Sequence, residues 1–363
     1  MGGPVDCNTF TPGNQLGRGT HCNVCLSTGQ VIGLNYGGLS GLASLIAIIF
    51  LFGMIAKRYH ENIIYPPPAP WRLLRSNLDA LLLNLLFAEI PMSIGGIMDF
   101  QWVAERQVYC GSHCTVQGAF QFIGETAVAM FTLAIALHTF FSIWFNRRLG
   151  YRPLFWVTYS ACVWVYVVFF ALVAWATHKD KRPENGFFAP TPFWCWVNSY
   201  YSKQRFGEYF WLWVAGVGNL VIYTLLAVLL GGCFVYQTEE DTEERRELRR
   251  EGWLQLLNPL GYTILVLPAS VARWMYISSL NPPSVLDPNM SSLATATLVF
   301  HSTFRLSGLI NVLLVLSTRS GLLLINSSGE LHPNDPRRQM EEMRATVELE
   351  QPGPSPTHSI KYS

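Results

Sequence analysis

Between Cys114 and Arg148 the chain reads CTVQGAFQFIGETAVAMFTLAIALHTFFSIWFNRR: a cysteine, about thirty mostly apolar residues, and a stop at Asn146-Arg147-Arg148. At about 1.5 Å of rise per helical residue, this run crosses a bilayer core of roughly 30 Å with length to spare. Glu125 and His138 lie inside it. An ionisable side chain at that depth costs about 2.5 kcal/mol or more on insertion scales, so Glu125 demands an explanation.

Composition agrees with a membrane chain. Half of the 363 residues are hydrophobic and only 13% are charged, against about 25% in an ordinary soluble domain. The formal net charge of +1 gives nucleic acid nothing to grip. Of eight cysteines, Cys162 and Cys233 fall in apolar runs; Cys7, Cys22, Cys25, Cys110, Cys114 and Cys195 fall in segments that share one side of the membrane. Cys22-x-x-Cys25 is half of a zinc pattern with no second half, so disulfides on an oxidising face are the better reading. The first thirty residues carry no basic segment followed by an apolar core, and no cleavable signal peptide is expected.

Apolar runs long enough to span occur at about 31–56, 76–98, 115–145, 154–177, 208–236, 257–279 and 293–317. The expected fold is therefore an all-α membrane protein, a seven-transmembrane helix bundle. Residues 1–30 form an N-terminal segment and residues 318–363 a polar, Pro-rich disordered tail. Loops 57–75, 146–153 and 237–256 carry eleven Lys and Arg residues; the N-terminal segment and loops 99–114, 178–207 and 280–292 carry seven. That bias places the N-terminus outside and the C-terminus in the cytoplasm. The six non-span cysteines then face the oxidising side, which supports the same orientation. Asn289-Met-Ser291 becomes a glycosylation sequon in an outer loop, whereas Asn326-Ser-Ser328 lies on the wrong side. Loop 237–256 has helical charge spacings and reads as solvated extensions of its flanking spans. No internal repeat marks a repeat-built transporter.

Glu89, Glu125 and Arg305 are the informative intramembrane residues. Glu125 lies eleven residues past Cys114, about 16 Å below it, and Arg305 and Glu89 lie twelve residues past Leu293 and Asn77, about 18 Å into their runs. The expectation is that Glu125 pairs with Arg305 and that the two line a polar cavity with Glu89 and His301. The simpler alternative is an ion pair that only fixes helix register, with His138 and His301 as hydrogen-bonded packing residues. Arg273 snorkels. All five lysines lie outside the spans, which excludes a retinal Schiff base. The eight histidines are scattered with no His-x-x-x-His, and neither a phosphate-cradling loop nor a nucleophile elbow is present. No catalysis, metal or cofactor is expected.

Specific stretches then carry a resemblance. Asn84-Leu-Leu-Phe-Ala-Glu89 resembles the second-helix pattern of G-protein-coupled receptors, with Glu in place of the usual Asp. Within that superfamily the chain is most similar to the cyclic-AMP-receptor-like group and its fungal, glucose-receptor-like relatives. The resemblance rests on Cys114-Thr-Val-Gln117-Gly118 with Leu133–Phe140; on Phe193-Trp-Cys-Trp-Val with Glu208–Gly216; on Leu257-Asn-Pro259-Leu-Gly-Tyr262 with Pro268; and on Ser307-Gly308-Leu-Ile-Asn311. It departs from rhodopsin-like receptors in ending the third helix at Asn146-Arg147-Arg148 and in lacking Asn-Pro-x-x-Tyr in the seventh, and from fungal glucose receptors in its short 237–256 loop.

The resemblance implies a disulfide from Cys114 to Cys195 and a multi-pass plasma-membrane receptor. It also implies an unidentified extracellular ligand and a heterotrimeric G protein feeding a cyclic-AMP pathway, with homo-oligomerisation left open. Arg147, Arg148, Arg245 and Arg246 are the expected G-protein contacts, and Pro259 and Pro268 the expected bend. The alternative is a seven-helix transporter or channel that uses Glu89, Glu125 and Arg305 as a polar path.

Overall fold

The structure, a computed structural model, describes residues 23–64, 74, 76–145, 153–177, 186–191, 193–198, 201–230, 268, 270–271 and 288–318. In chain order the elements are β1 (Asn23–Cys25), α1 (Thr28–Ile64), α2 (Asn77–Ile97), α3 (Asp99–Glu105), β2 (Gln107–Tyr109), α4 (Ser112–Trp144) and α5 (Pro153–Thr177). They continue with β3 (Phe188–Pro190), β4 (Cys195–Val197), α6 (Ser202–Leu230), α7 (Pro288–Phe304) and α8 (Ser307–Thr318). Among the described residues, six helical stretches are long and apolar enough to cross a membrane. The chain is thus a mostly helical, multi-pass membrane protein. The expected sixth span, 257–279, lies outside the described residues apart from helical Pro268, Ser270 and Val271.

Residues Met1–Leu51 with Leu74–Arg319 form one compact unit, and Phe52–Leu73 with Ser320–Ser363 form a second. The described part of the second unit is the last stretch of α1. It runs past the expected end at 56, and Arg58 pairs there with Glu61 one turn on at 3.2 Å.

Three features of the first unit differ from the sequence reading. The expected loop 99–114 begins as helix: Met98 is αR, its N–H reaches Ile94 O at 3.1 Å, and α3 follows directly, so Asn77–Glu105 make one apolar stretch. That stretch starts at a capping box between Ser76 and Asp79 and ends at Arg106, whose φ of 53° is left-handed. The last span is interrupted at Arg305-Leu306, between α7 and α8. Two antiparallel strand pairs close the end of the bundle where α4 begins: β1–β2, which joins the chain before α1 to the chain after α3, and the β3–β4 hairpin; their three-residue strands are too short to leave a period-two signal in sequence.

α4 is the central post, packing against α2, α5, α6 and both strands of the β3–β4 hairpin. Close approach is built in with glycine. A Cβ at Gly124 would lie 2.6 Å from Met92 N on α2, and one at Gly118 would lie 2.6 Å from a ring carbon of Phe188 in β3. On α1, Gly33, Gly37 and Gly41 recur every fourth residue, the spacing that lets membrane helices meet backbone to backbone. Gly33 abuts Leu298 of α7, and Gly41 abuts Ser93 O and Gly96 of α2. The outward faces are apolar, with Ile46, Ile49 and Phe50 exposed on α1 and Val165, Phe169 and Leu172 on α5. Such faces suit lipid rather than water.

Candidate functional site

One group of buried polar residues of the first unit lies where α2, α3, α4 and the β3–β4 hairpin meet the break in the last span. At its centre Arg305, 1% exposed, makes an ion pair from Nη1 to Oδ2 of fully buried Asp99. The other carboxylate oxygen, Oδ1, accepts a 2.6 Å hydrogen bond from Gln117 Nε2, which also donates to Gly95 O at 3.1 Å. Gln117 Oε1 accepts from Trp102 Nε1 at 2.8 Å and from the backbone N–H of Cys195 at 3.0 Å. One glutamine, three residues below Cys114, therefore ties α2, α3 and β4 to the post. A lone buried amide would be costly; Gln117 instead satisfies four partners.

The same strand is fixed covalently. Cys114 and Cys195 form a disulfide, with Cα atoms 5.1 Å apart. Thr191 N donates to Trp194 O at 2.8 Å across the hairpin turn, and Arg205 Nη2 donates to Val197 O at 2.9 Å while its guanidinium lies over Trp196. Phe187, Phe188, Phe193, Trp194 and Trp196 are all buried. The hairpin is thus a folded plug. From it Trp194 stacks on His301 of α7, with ring centroids 3.9 Å apart and planes 1° from parallel, and the Arg305 guanidinium lies 5.9 Å from the same indole.

The break itself is held by side chains. Leu306 N donates to Thr303 O, a tightened turn, and leaves the ladder incomplete. Ser44 of α1 repairs it from both directions: its hydroxyl donates to Arg305 O at 2.6 Å and accepts from Leu309 N at 3.1 Å. Gly308 makes room, since a Cβ there would sit 2.9 Å from Ser44 Cβ. Below the break, Glu89 of α2 accepts from Ser307 Oγ and from Asn311 Nδ2, both at 2.9 Å. Two acids of the second span, Asp99 and Glu89, therefore grip the last span on either side of its interruption.

The expected partnership of Arg305 with Glu125 is corrected: the carboxylate that Arg305 meets is Asp99. Asp99 escaped notice because it read as the first residue of a loop, whereas the helix carries it on into the bundle. Glu125 is buried on α4, two turns below Gln117 on the Gln117-Gln121-Glu125 stripe. His138 packs edge-on against Trp156. Asn84 bridges the second and fourth apolar spans by accepting from Trp164 Nε1 at 3.0 Å. Asn289 lies in the first turn of α7, and Pro268 is helical. Arg147, Arg148, Arg245, Arg246, Pro259 and Arg273 lie outside the described residues. Cys25 and Cys110 are each disulfide-bonded, and Cys162 is a free cysteine.

No family model and no curated protein matches this chain.

Four of the stretches that carried the sequence resemblance meet in two pairs. Cys114-Thr-Val-Gln117-Gly118 meets the hairpin of Phe193-Trp-Cys-Trp-Val, and Asn84–Glu89 meets Ser307-Gly308-Leu-Ile-Asn311. Chemically the site offers paired charges, amide and hydroxyl donors, and stacked aromatic rings. It can hold helices in register.

Proposed function

We propose that this chain is a seven-helix plasma-membrane receptor that passes an extracellular signal to a heterotrimeric G protein, within a cyclic-AMP pathway. The observation that carries this reading is the double attachment of the hairpin to the head of α4, through Cys114–Cys195 and through Gln117. A loop fixed at the mouth of a bundle is suited to meeting ligands, and the same loop reaches the interrupted last span through Trp194. With the disulfide end outside, the Lys- and Arg-rich loops face the cytoplasm, in keeping with their charge.

Helix direction supports a seventh crossing. α6 starts beside the hairpin, where Arg205 holds Val197 O, and runs away from it. α7 and α8 run the same way, since Arg305 meets Asp99 whereas the later Ser307 and Asn311 meet Glu89, deeper on α2. Two successive described spans pointing the same way are in keeping with a further crossing by the apolar run 257–279. Signal transfer would then follow a two-state helix rearrangement biased by ligand.

One observation favours a transporter or channel instead: an interrupted span with charged side chains at mid-depth is a recurrent transporter feature. Glu89, Glu125 and Arg305 would then line the path. The test is nucleotide exchange on a panel of heterotrimeric G proteins by the purified protein in lipid nanodiscs. The receptor reading expects accelerated GDP release from at least one of them. Ion or solute flux in liposomes with no acceleration on any of them overturns it.

A further inference from the structure

We infer that Trp194 is a tethered occupant of a ligand subsite, and that the ligand class it stands in for is a planar aromatic ring bearing an uncharged hydrogen-bond acceptor. This rests on the receptor reading for its purpose and on the geometry for its chemistry. Three observations carry it. The first is the flat slot. Trp194 stacks on His301 with ring centroids 3.9 Å apart and planes 1° from parallel, so the site already accommodates a flat aromatic ring against the imidazole. The indole is fully buried, yet it belongs to a hairpin rather than to a span, so it is the part of the site that can leave without dismantling a helix.

The second observation is the unused edge of Arg305. Nη1 is taken by Asp99, while Nε and Nη2 have no hydrogen-bond partner among the described residues although the side chain is 1% exposed. Unmet N–H groups at such burial are costly, and an acceptor brought in beside them would be held strongly. Charge decides what kind of acceptor. Asp99 already neutralises the guanidinium, so a carboxylate or phosphate would add an uncompensated buried charge. An amide, ketone or hydroxyl oxygen would not.

The third observation is where the subsite leads. His301 lies one helical turn before Arg305, whose carbonyl at the interruption of the span is held by Ser44. Displacing the indole would therefore act directly on the turn that joins α7 to α8. The hairpin stays attached at Cys195 while Trp194 moves aside, because the disulfide holds the strand and not its tip.

The experiment uses the full chain in nanodiscs, with indole and indole-3-acetamide as probes and thermal unfolding as the readout. Trp194→Ala should lower the Tm, and both probes should restore part of it. Indole-3-acetamide should act at a concentration at least tenfold lower than indole, and indole-3-acetate should be the weakest of the three. Trp194→Ala with His301→Leu should lose the response to all of them. Trp194→Leu keeps apolar volume, and serves as the background if the alanine variant does not fold. A folded variant whose Tm does not respond to any probe overturns the proposal. So does an equal response with and without His301, or tightest binding by the acetate. G-protein exchange measured on the same samples separates the two readings: probe-dependent stabilisation without exchange keeps the subsite and rejects the receptor.

Discussion

At the scale of single residues, the structure turns on an arginine placed where charge is expensive. Arg305 and Glu89 are conspicuous in the sequence because they interrupt apolar runs. Their depth was legible for that reason. Their partners were not, because pairing depends on which helix faces which, and Asp99 lay beyond what read as the end of the second span. Removing one member of a buried pair leaves the other uncompensated. Asp99→Asn and Arg305→Met should each cost about 3–5 kcal/mol, measured by denaturant unfolding in detergent, and the double variant should cost less than the sum of the two. Gly37 tests the slot that admits the pair. A Cβ there would lie 2.7 Å from Arg305 Nη1 and 3.2 Å from Asp99 Oδ2, so Gly37→Val should destabilise by about 1–3 kcal/mol through overpacking. A neutral outcome would mean that α1 does not close over the ion pair.

Elements were legible where hydrophobicity alone defines them. The runs at 31–56, 76–98, 115–145 and 154–177 each coincide in large part with a helix found there, because an apolar stretch of that length has few alternatives in a bilayer. Where they end was less legible. Met98 neither caps nor breaks a helix, so nothing local distinguishes a terminus from the junction of α2 and α3. The break at Arg305-Leu306 carries no Pro and is stabilised from outside the element, by Ser44 of α1. Tertiary contacts of this sort leave no trace in the span's own sequence. Ser44→Ala would strip both freed backbone groups of their partner at a cost of about 1–3 kcal/mol. Hydrogen exchange at Leu309 should rise in that variant, with the amides in the middle of α4 unchanged. Equal protection at Leu309 in both proteins would show that the turn is stable without α1.

For the whole molecule, the head of α4 is where covalent, polar and packing attachments coincide. Cys114, Gln117 and Gly118 hold the hairpin by a disulfide, a hydrogen bond and a close contact with Phe188. The disulfide spans 81 residues of sequence. Losing such a link costs about 2–4 kcal/mol, so Cys114→Ser should lower the Tm measurably and reduce surface expression. The resemblance implied this pairing, whereas the plug formed by the five buried rings of the hairpin needed the structure, since those residues fall in what reads as loop 178–207.

The receptor reading stands on an odd number of crossings, with the disulfide end outside the cell. Epitope tags at each terminus, probed with antibody on intact and then permeabilised cells, test this directly. The account predicts that the N-terminal tag is reached on intact cells and the C-terminal tag only after permeabilisation. Both tags on the same side of the membrane would contradict it.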